Sequence, residues 1–244
     1  MKKDIINTQA NTFNDYLADR FPKFAKQIIN VLLEEKNDVF LFSGIIRDYF
    51  LYKDKSSNFN VRDIDIVVSD IDKFHSIFKN KIQYKKNSFG GLKLYFNDIN
   101  IDVWQANLTW GLKNIPQKNR NTTNIIDILP QTVFFNCSSI LFDFQNKKFI
   151  ENDDSSFQLF LDSKTLDIVL EENPLPELCI LNTIYYTKKH NLNISSKLAD
   201  YVKDKFSKIE KDRFLYIQMK HFNKITLEIN ELDKEIEELA NLIK

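Results

Sequence analysis

Cysteine is nearly absent from this chain: 244 residues hold two, Cys137 and Cys179, which excludes a disulfide-dense scaffold and a four-cysteine zinc site. Both lie in apolar runs and read as core residues. Histidine is as scarce. His75, His190 and His221 are scattered among polar neighbours without metal-ligand spacing, so they are assigned to the surface and a His-rich metal centre is excluded. Neither sign of charge prevails, because 34 basic residues offset 34 acidic ones and leave a formal charge of zero with a pI near 6.8. No global basic field marks the chain for nucleic acid, and any polyanion has to be gripped locally. Nowhere does an apolar run reach the roughly 18 residues of a membrane span, and the opening MKKDIINTQANTF lacks the apolar stretch of a secretory signal. A cytoplasmic protein without membrane association is therefore expected.

What is present suffices for a buried core: 43% of the residues are apolar and 13% aromatic. From Tyr16 to Glu35 apolar residues recur every three or four positions, predicting one amphipathic helix despite Pro22. Val39-Phe40-Leu41-Phe42 is a wholly apolar strand, Ser43-Gly44 a turn, and Ile45 to Tyr52 a helix. Arg62 to Val68 alternates in part and is rich in β-branched residues, so a strand is expected; Asp70 and Asp72 can cap a helix over Ile71 to Lys79. Leu92 to Phe96 and Ile99 to Trp104 alternate about Asn97-Asp98, the signature of a hairpin, and a second hairpin joins Cys137–Phe144 to Lys148–Ile150. After Asn173-Pro174-Leu175-Pro176 the pattern becomes helical: Glu177 to His190, Ser195 to Lys208, and one long stretch from Asp212 to the end. A mixed αβ domain over residues 1–165 and a helical domain over 166–244 follow.

The chemistry-bearing residues stand on the predicted strands. Asp63 and Asp65 are two apart, so their carboxylates leave one face while Ile64 and Ile66 enter the other. Like charges so close are unfavourable unless a cation intervenes, and sparse hard oxygen ligands suit Mg²⁺ (or Mn²⁺) shared with substrate phosphates. Asp102 shares its face with Asn100 and Trp104, opposite Ile99, Ile101 and Val103; if the strands are neighbours it completes a triad able to stabilise an in-line phosphoryl displacement. Upstream, the Ser43-Gly44 turn opens a helix whose free N–H groups suit a phosphate, and Arg47 on its first turn is a fitting partner. The bland alternative is that Asp-x-Asp occurs by chance on solvated strands.

In this order, Phe42-Ser43-Gly44-Ile45-Ile46-Arg47-Asp48-Tyr49-Phe50-Leu51 and Arg62-Asp63-Ile64-Asp65-Ile66-Val67-Val68 resemble the glycine-glycine-x-valine-arginine-aspartate and Asp-x-Asp signature of the head domain of poly(A) polymerases and CCA-adding enzymes, in the nucleotidyltransferase superfamily. The resemblance continues through Ile101-Asp102-Val103, Thr132 to Asp143 and Leu181 to Lys188. It implies an α+β, polymerase-beta-like mixed-sheet head followed by a helical neck. It also implies an NTP as substrate and Asp63, Asp65 and Asp102 as metal ligands and catalytic residues; Ser43, Gly44, Arg47, Arg62 and Lys188 are the candidate nucleotide contacts. The sequence departs from the family where Ser43 replaces the first glycine, and where the helix has Cys179, Asn182 and Tyr185 in the neighbourhood of the family's acidic-x-x-arginine-x-x-arginine motif that reads the incoming base. The chain also stops where CCA-adding enzymes continue into body and tail domains, so a full CCA-adding role is not expected.

The expected activity is Mg²⁺-dependent transfer of an NMP to an acceptor hydroxyl with release of pyrophosphate. An RNA 3′ end, a small molecule and a protein side chain remain open as acceptors, and a noncatalytic nucleotide-binding module is the alternative of a different class. Several residues have plainer readings: Ser43 as a small turn residue, Arg62 as a solvated strand-entry arginine, Lys188 and Lys189 as a solvent-facing pair, and Trp104 as packing rather than base stacking. In the tail Ile225, Ile229, Leu232, Ile236, Leu239 and Ile243 form a seven-residue repeat. That stripe either docks on the neck or pairs with a second copy or a separate partner.

Overall fold

The computed structural model describes residues 6–42, 44–53, 63–87, 90–96, 99–116 and 124–244. Ser43, Arg62 and the Asn97-Asp98 turn lie outside the described residues. The chain divides into two compact units, Met1–Val133 with Cys137–Gln158, and Phe134–Asn136 with Leu159–Lys244. The division at 158–159 precedes the boundary placed near 165 from composition.

The first unit is built on a seven-stranded mixed sheet. Its elements in chain order are α1 (Ala10–Arg20), α2 (Lys23–Glu34), β1 (Val39–Phe42), α3 (Gly44–Tyr52), β2 (Asp63–Val68), α4 (Ile71–Phe78), β3 (Tyr84–Lys86), β4 (Leu92–Phe96), β5 (Ile99–Gln105), α5 (Ile125–Ile128), β6 (Ile140–Asp143) and β7 (Lys148–Glu151). The strand order is β3-β4-β5-β2-β1-β6-β7. Only β2 and β5 run parallel; every other neighbouring pair is antiparallel.

Alternation fixes the register. Phe149, Phe142, Leu41, Ile66, Val103 and Leu92 are mutual partners across six strands and all are buried. Shifting β2 or β5 by one residue toward its N-terminal neighbour would drive Asp65 or Asp102 into this row, so the hydrophobic pattern holds their register. Phe13 of α1 closes one end of the core, its ring 4.9 Å from Tyr49 and 5.0 Å from Phe142. The single helix expected over Tyr16–Glu35 is two helices. Phe21 before Pro22 adopts extended geometry (φ −73°, ψ 135°) and its N–H caps α1 at Leu17, because a proline ring disfavours helical backbone in the residue before it. Cys137 is likewise not in the strand expected from 137; it sits in a short 3₁₀ turn and β6 begins at Ile140. Cys137 and Cys179 are both buried and free, and burial pushes the Cys179 thiol up to about 12, so neither is a reactive thiolate.

Then come α6 (Ser156–Ser163), β8 (Thr165–Leu166), α7 (Pro176–His190), β9 (Asn193–Ile194), α8 (Ser196–Lys208), α9 (Lys211–Phe222) and α10 (Ile229–Leu239). In the second unit α7 is central: Ile180, Leu181, Thr183, Ile184 and Thr187 are all buried, and the two threonine hydroxyls donate to the backbone oxygens of Cys179 and Thr183. The long terminal helix expected from Asp212 is broken. Asn223 takes left-handed geometry (φ 57°), and buried Gln218 accepts from the backbone N–H groups of Thr226 and Leu227 while donating to the Leu227 carbonyl. α10 then restarts behind a Glu228/Glu231 capping box. Among the described residues no helix is long and apolar enough to cross a membrane.

Candidate active site

The parallel pairing of β2 with β5 sets Asp65 beside Asp102 and Asp63 beside Asn100. Strand alternation puts Ile64, Ile66, Ile101 and Val103 in the core, so all three carboxylates leave the opposite face together. Asp63 is exposed, while Asp65 and Asp102 are half-buried. Asn100 Nδ2 donates to Asp63 Oδ1 at 3.0 Å. Lys93, the β4 partner of Asp102, places its ammonium 3.6 Å from the Asp102 carboxylate.

This crowding is visible in the proton affinities. Burial, then the charges of Asp102 and Asp63, push the Asp65 carboxyl from an ordinary 3.8 up to about 7, against the pull of Lys93 and Arg47. Burial also raises Asp102, with Lys93 opposing. The folded chain thus holds the Asp65 proton to about pH 7, whereas the unfolded chain releases it near 3.8, so stability falls as pH rises through that window. Asp65→Asn has no charge to develop. Its melting temperature relative to wild type is expected to climb between about pH 4.5 and about pH 8 in a chelator, and Mg²⁺ should narrow the gap at the higher pH. Parallel melting curves across that range would show that Asp65 does not titrate as described.

The donor set fits a hard divalent cation in atom type and charge: three carboxylates from adjacent strands, two of them destabilised as anions by burial and by the charge of neighbouring carboxylates. As they stand the side chains do not close on a common point, since among the described residues no three His, Cys, Asp or Glu are placed to hold a metal ion.

The other expected site residues are placed as follows. Gly44 opens α3 one residue after β1, and a Cβ there would meet nothing within 4 Å beyond its chain neighbours. Arg47 is buried rather than presented to solvent, its Nε donating to Asp48 Oδ1 at 2.7 Å; its charge reaches Asp65 through space. Lys188 belongs to the second unit, where its ammonium pairs with Glu235 of α10. Trp104 packs against Phe42 with ring centroids 5.7 Å apart and donates its indole N–H to Thr109 Oγ1 at 3.1 Å, which makes it a packing residue. Lys93 was missed, although a two-residue turn at Asn97-Asp98 already sets it opposite Asp102.

No family model matches the sequence, and no curated protein matches it. Solved structures do. A CCA-adding enzyme in complex with ATP aligns over 93% of this chain and 53% of its own, with a TM-score of 0.62 at 15% identity. The Thermotoga maritima CCA-adding enzyme complexed with tRNA aligns over 93% and 53%, with a TM-score of 0.61 at 15% identity. A tRNA nucleotidyltransferase with a primer tRNA and an incoming ATP analog aligns over 88% and 62%, with a TM-score of 0.56 at 15% identity. The chain spans about half the length of these proteins, and the likeness shows the fold: the mixed-sheet nucleotidyltransferase fold with its helical continuation.

Proposed function

We propose that the protein transfers an NMP from an NTP to an acceptor hydroxyl, and that the acceptor is an RNA 3′ end. The observation that carries this reading is the three-carboxylate face on the registered β2–β5 pair within a fold shared with CCA-adding enzymes. Asp63 and Asp65 would hold the metal ion, joined by Asp102. Mg²⁺ or Mn²⁺, when bound, supplies neutralisation of the triphosphate and acidifies the attacking hydroxyl.

Asp102 carries the proton step. Its carboxylate, held above the ordinary range by burial, is suited to take the proton of the acceptor hydroxyl. The hydroxyl oxygen then bonds to the α-phosphorus, the α–β bridging P–O bond breaks, and pyrophosphate leaves in line. The first turn of α3 at Gly44 would offer the triphosphate backbone N–H donors, and buried Arg47 would supply positive charge behind Asp65.

Asp102→Asn should leave NTP affinity nearly intact and slow transfer by about 10²-fold or more. Filter binding beside single-turnover kinetics separates the two quantities, and an equal loss in both would make Asp102 a ground-state ligand instead. The reading itself is tested by incubating the protein with each α-labelled NTP, Mg²⁺ or Mn²⁺, and total RNA or lysate. Label in RNA supports it; label in protein or a small molecule reassigns the acceptor; nucleotide binding without pyrophosphate release under every acceptor leaves a noncatalytic module.

A further inference from the structure

The neutral charge of the chain conceals a local excess. Between Asp72 and Asp98 there is no Asp or Glu, while Lys73, Lys79, Lys81, Lys85, Lys86 and Lys93 fall within that stretch. It comprises most of α4, all of β3 and all of β4. Among the described residues none of Lys79, Lys81, Lys85 and Lys86 is ion-paired. β3 is the open edge of the sheet, and beside it lies a groove of about 490 Å³ lined by His75, Lys79, Tyr84, Lys85 and Tyr95 among others, with no carboxylate in its walls among the described residues.

The register links this edge to the carboxylates. Asp65, Asp102, Lys93 and Lys85 are successive partners across β2, β5, β4 and β3, and they share the exposed face. Tyr95, two residues from Lys93 on that face, is 56% exposed, and Lys85 Nζ lies 6.0 Å from its ring centroid. Tyr95 stands on β4, next to the edge strand, so its exposed ring can receive a stacking partner beside the open edge. Unpaired ammonium groups beside stackable rings are the composition of a single-strand binding groove, where cations follow the backbone and rings receive bases.

We propose that the β3 edge, with Lys79, Lys85 and Tyr95 as its principal contacts, is a binding surface for single-stranded RNA that leads along β4 to the carboxylate face. The proposal rests on the transferase reading only for the choice of RNA as occupant; the surface is tested by binding alone. Charge complementarity selects a polyanion, and the aromatic component selects one with planar bases over an acidic peptide.

The test is fluorescence anisotropy of a labelled single-stranded RNA oligonucleotide with the full chain over a salt titration. Lys79→Glu with Lys85→Glu should weaken binding about tenfold or more and reduce the log–log salt slope by about 1.4, two single-strand phosphate contacts. Tyr95→Ala should weaken it about fivefold or more with the slope unchanged. A charge-matched control, Lys224→Glu with Lys244→Glu, should bind as wild type. All of these side chains are exposed, and equal melting temperatures will confirm that the variants fold. No measurable RNA binding by the wild type, unchanged affinity in the edge variants, or competition by polyglutamate as effective as that by RNA would each overturn the surface. RNA binding without transfer counts against the transferase reading alone, and transfer to RNA with affinity indifferent to the edge variants counts against this surface alone.

Discussion

Asp65→Asn is expected to abolish nucleotidyl transfer, by on the order of 10³-fold or more, while making the metal-free protein harder to unfold above neutral pH. The two effects have one cause. Asp65 sits half-buried between the carboxylates of Asp63 and Asp102, and their charges together with burial push its own carboxyl up to about 7. An amide of the same shape removes that repulsion and keeps the backbone pairing with β1 and β5. It also removes the anion that a divalent cation would neutralise, and with it the charge that offsets the triphosphate. Asp63→Asn should match the loss of transfer with a smaller gain in stability, because Asp63 is exposed. Transfer assays and thermal melts with and without Mg²⁺ decide the matter. Wild-type turnover in both variants would end the assignment of these carboxylates; lost turnover with a lowered melting temperature in chelator would make Asp65 a structural residue.

The face that carries these groups was legible because period-two alternation says which residues leave a strand together. Ile64 and Ile66 against Asp63 and Asp65 need no tertiary information, nor do Ile101 and Val103 against Asp102. That β2 and β5 would be neighbours was not legible from alternation, since two strands intervene in sequence and the pairing is parallel; only the resemblance to nucleotidyltransferases anticipated it. Local signals failed where two rules competed. The spacing of apolar residues ran through Pro22 as though the helix continued, but the proline's effect on Phe21 prevailed. In the tail the helical pattern reads as one stretch from Asp212 to the end, but at Asn223 a left-handed residue and the loop hydrogen bonds of Gln218 end the helix. β3 escaped notice because three residues, two of them lysines and paired on one side only, carry no hydrophobic period. Arg47 was legible as a cation near the site, whereas its burial against Asp48 was not, because the two are sequence neighbours and helical spacing gives no hint that they meet.

The tail stripe yields the largest expected change in stability. Of its six aliphatics, Leu232 and Leu239 are buried, while Ile225 and Ile243 are 40% and 45% exposed; the stripe is covered in its middle and open at its ends. α10 packs against α7, α8 and α9 of its own chain, and Lys188–Glu235 and Lys211–Asp233 ion pairs flank it. Leu232→Asp would set an unpaired carboxylate in this apolar contact, which costs about 3–5 kcal/mol once lost packing is included. For a helical unit of this size that shift is about 15 °C or more in melting temperature. Ile225→Asp, at an exposed position, should move it by only a degree or two, about 0.5 kcal/mol or less. Light scattering beside the melts distinguishes the two uses of the stripe. A Leu232→Asp protein of unchanged mass that melts early shows the stripe holding its own unit together. A protein that falls from a larger mass to a folded monomer of unchanged melting temperature would show the stripe pairing with a second copy, and the intrachain packing of α10 would not be its resting state in solution.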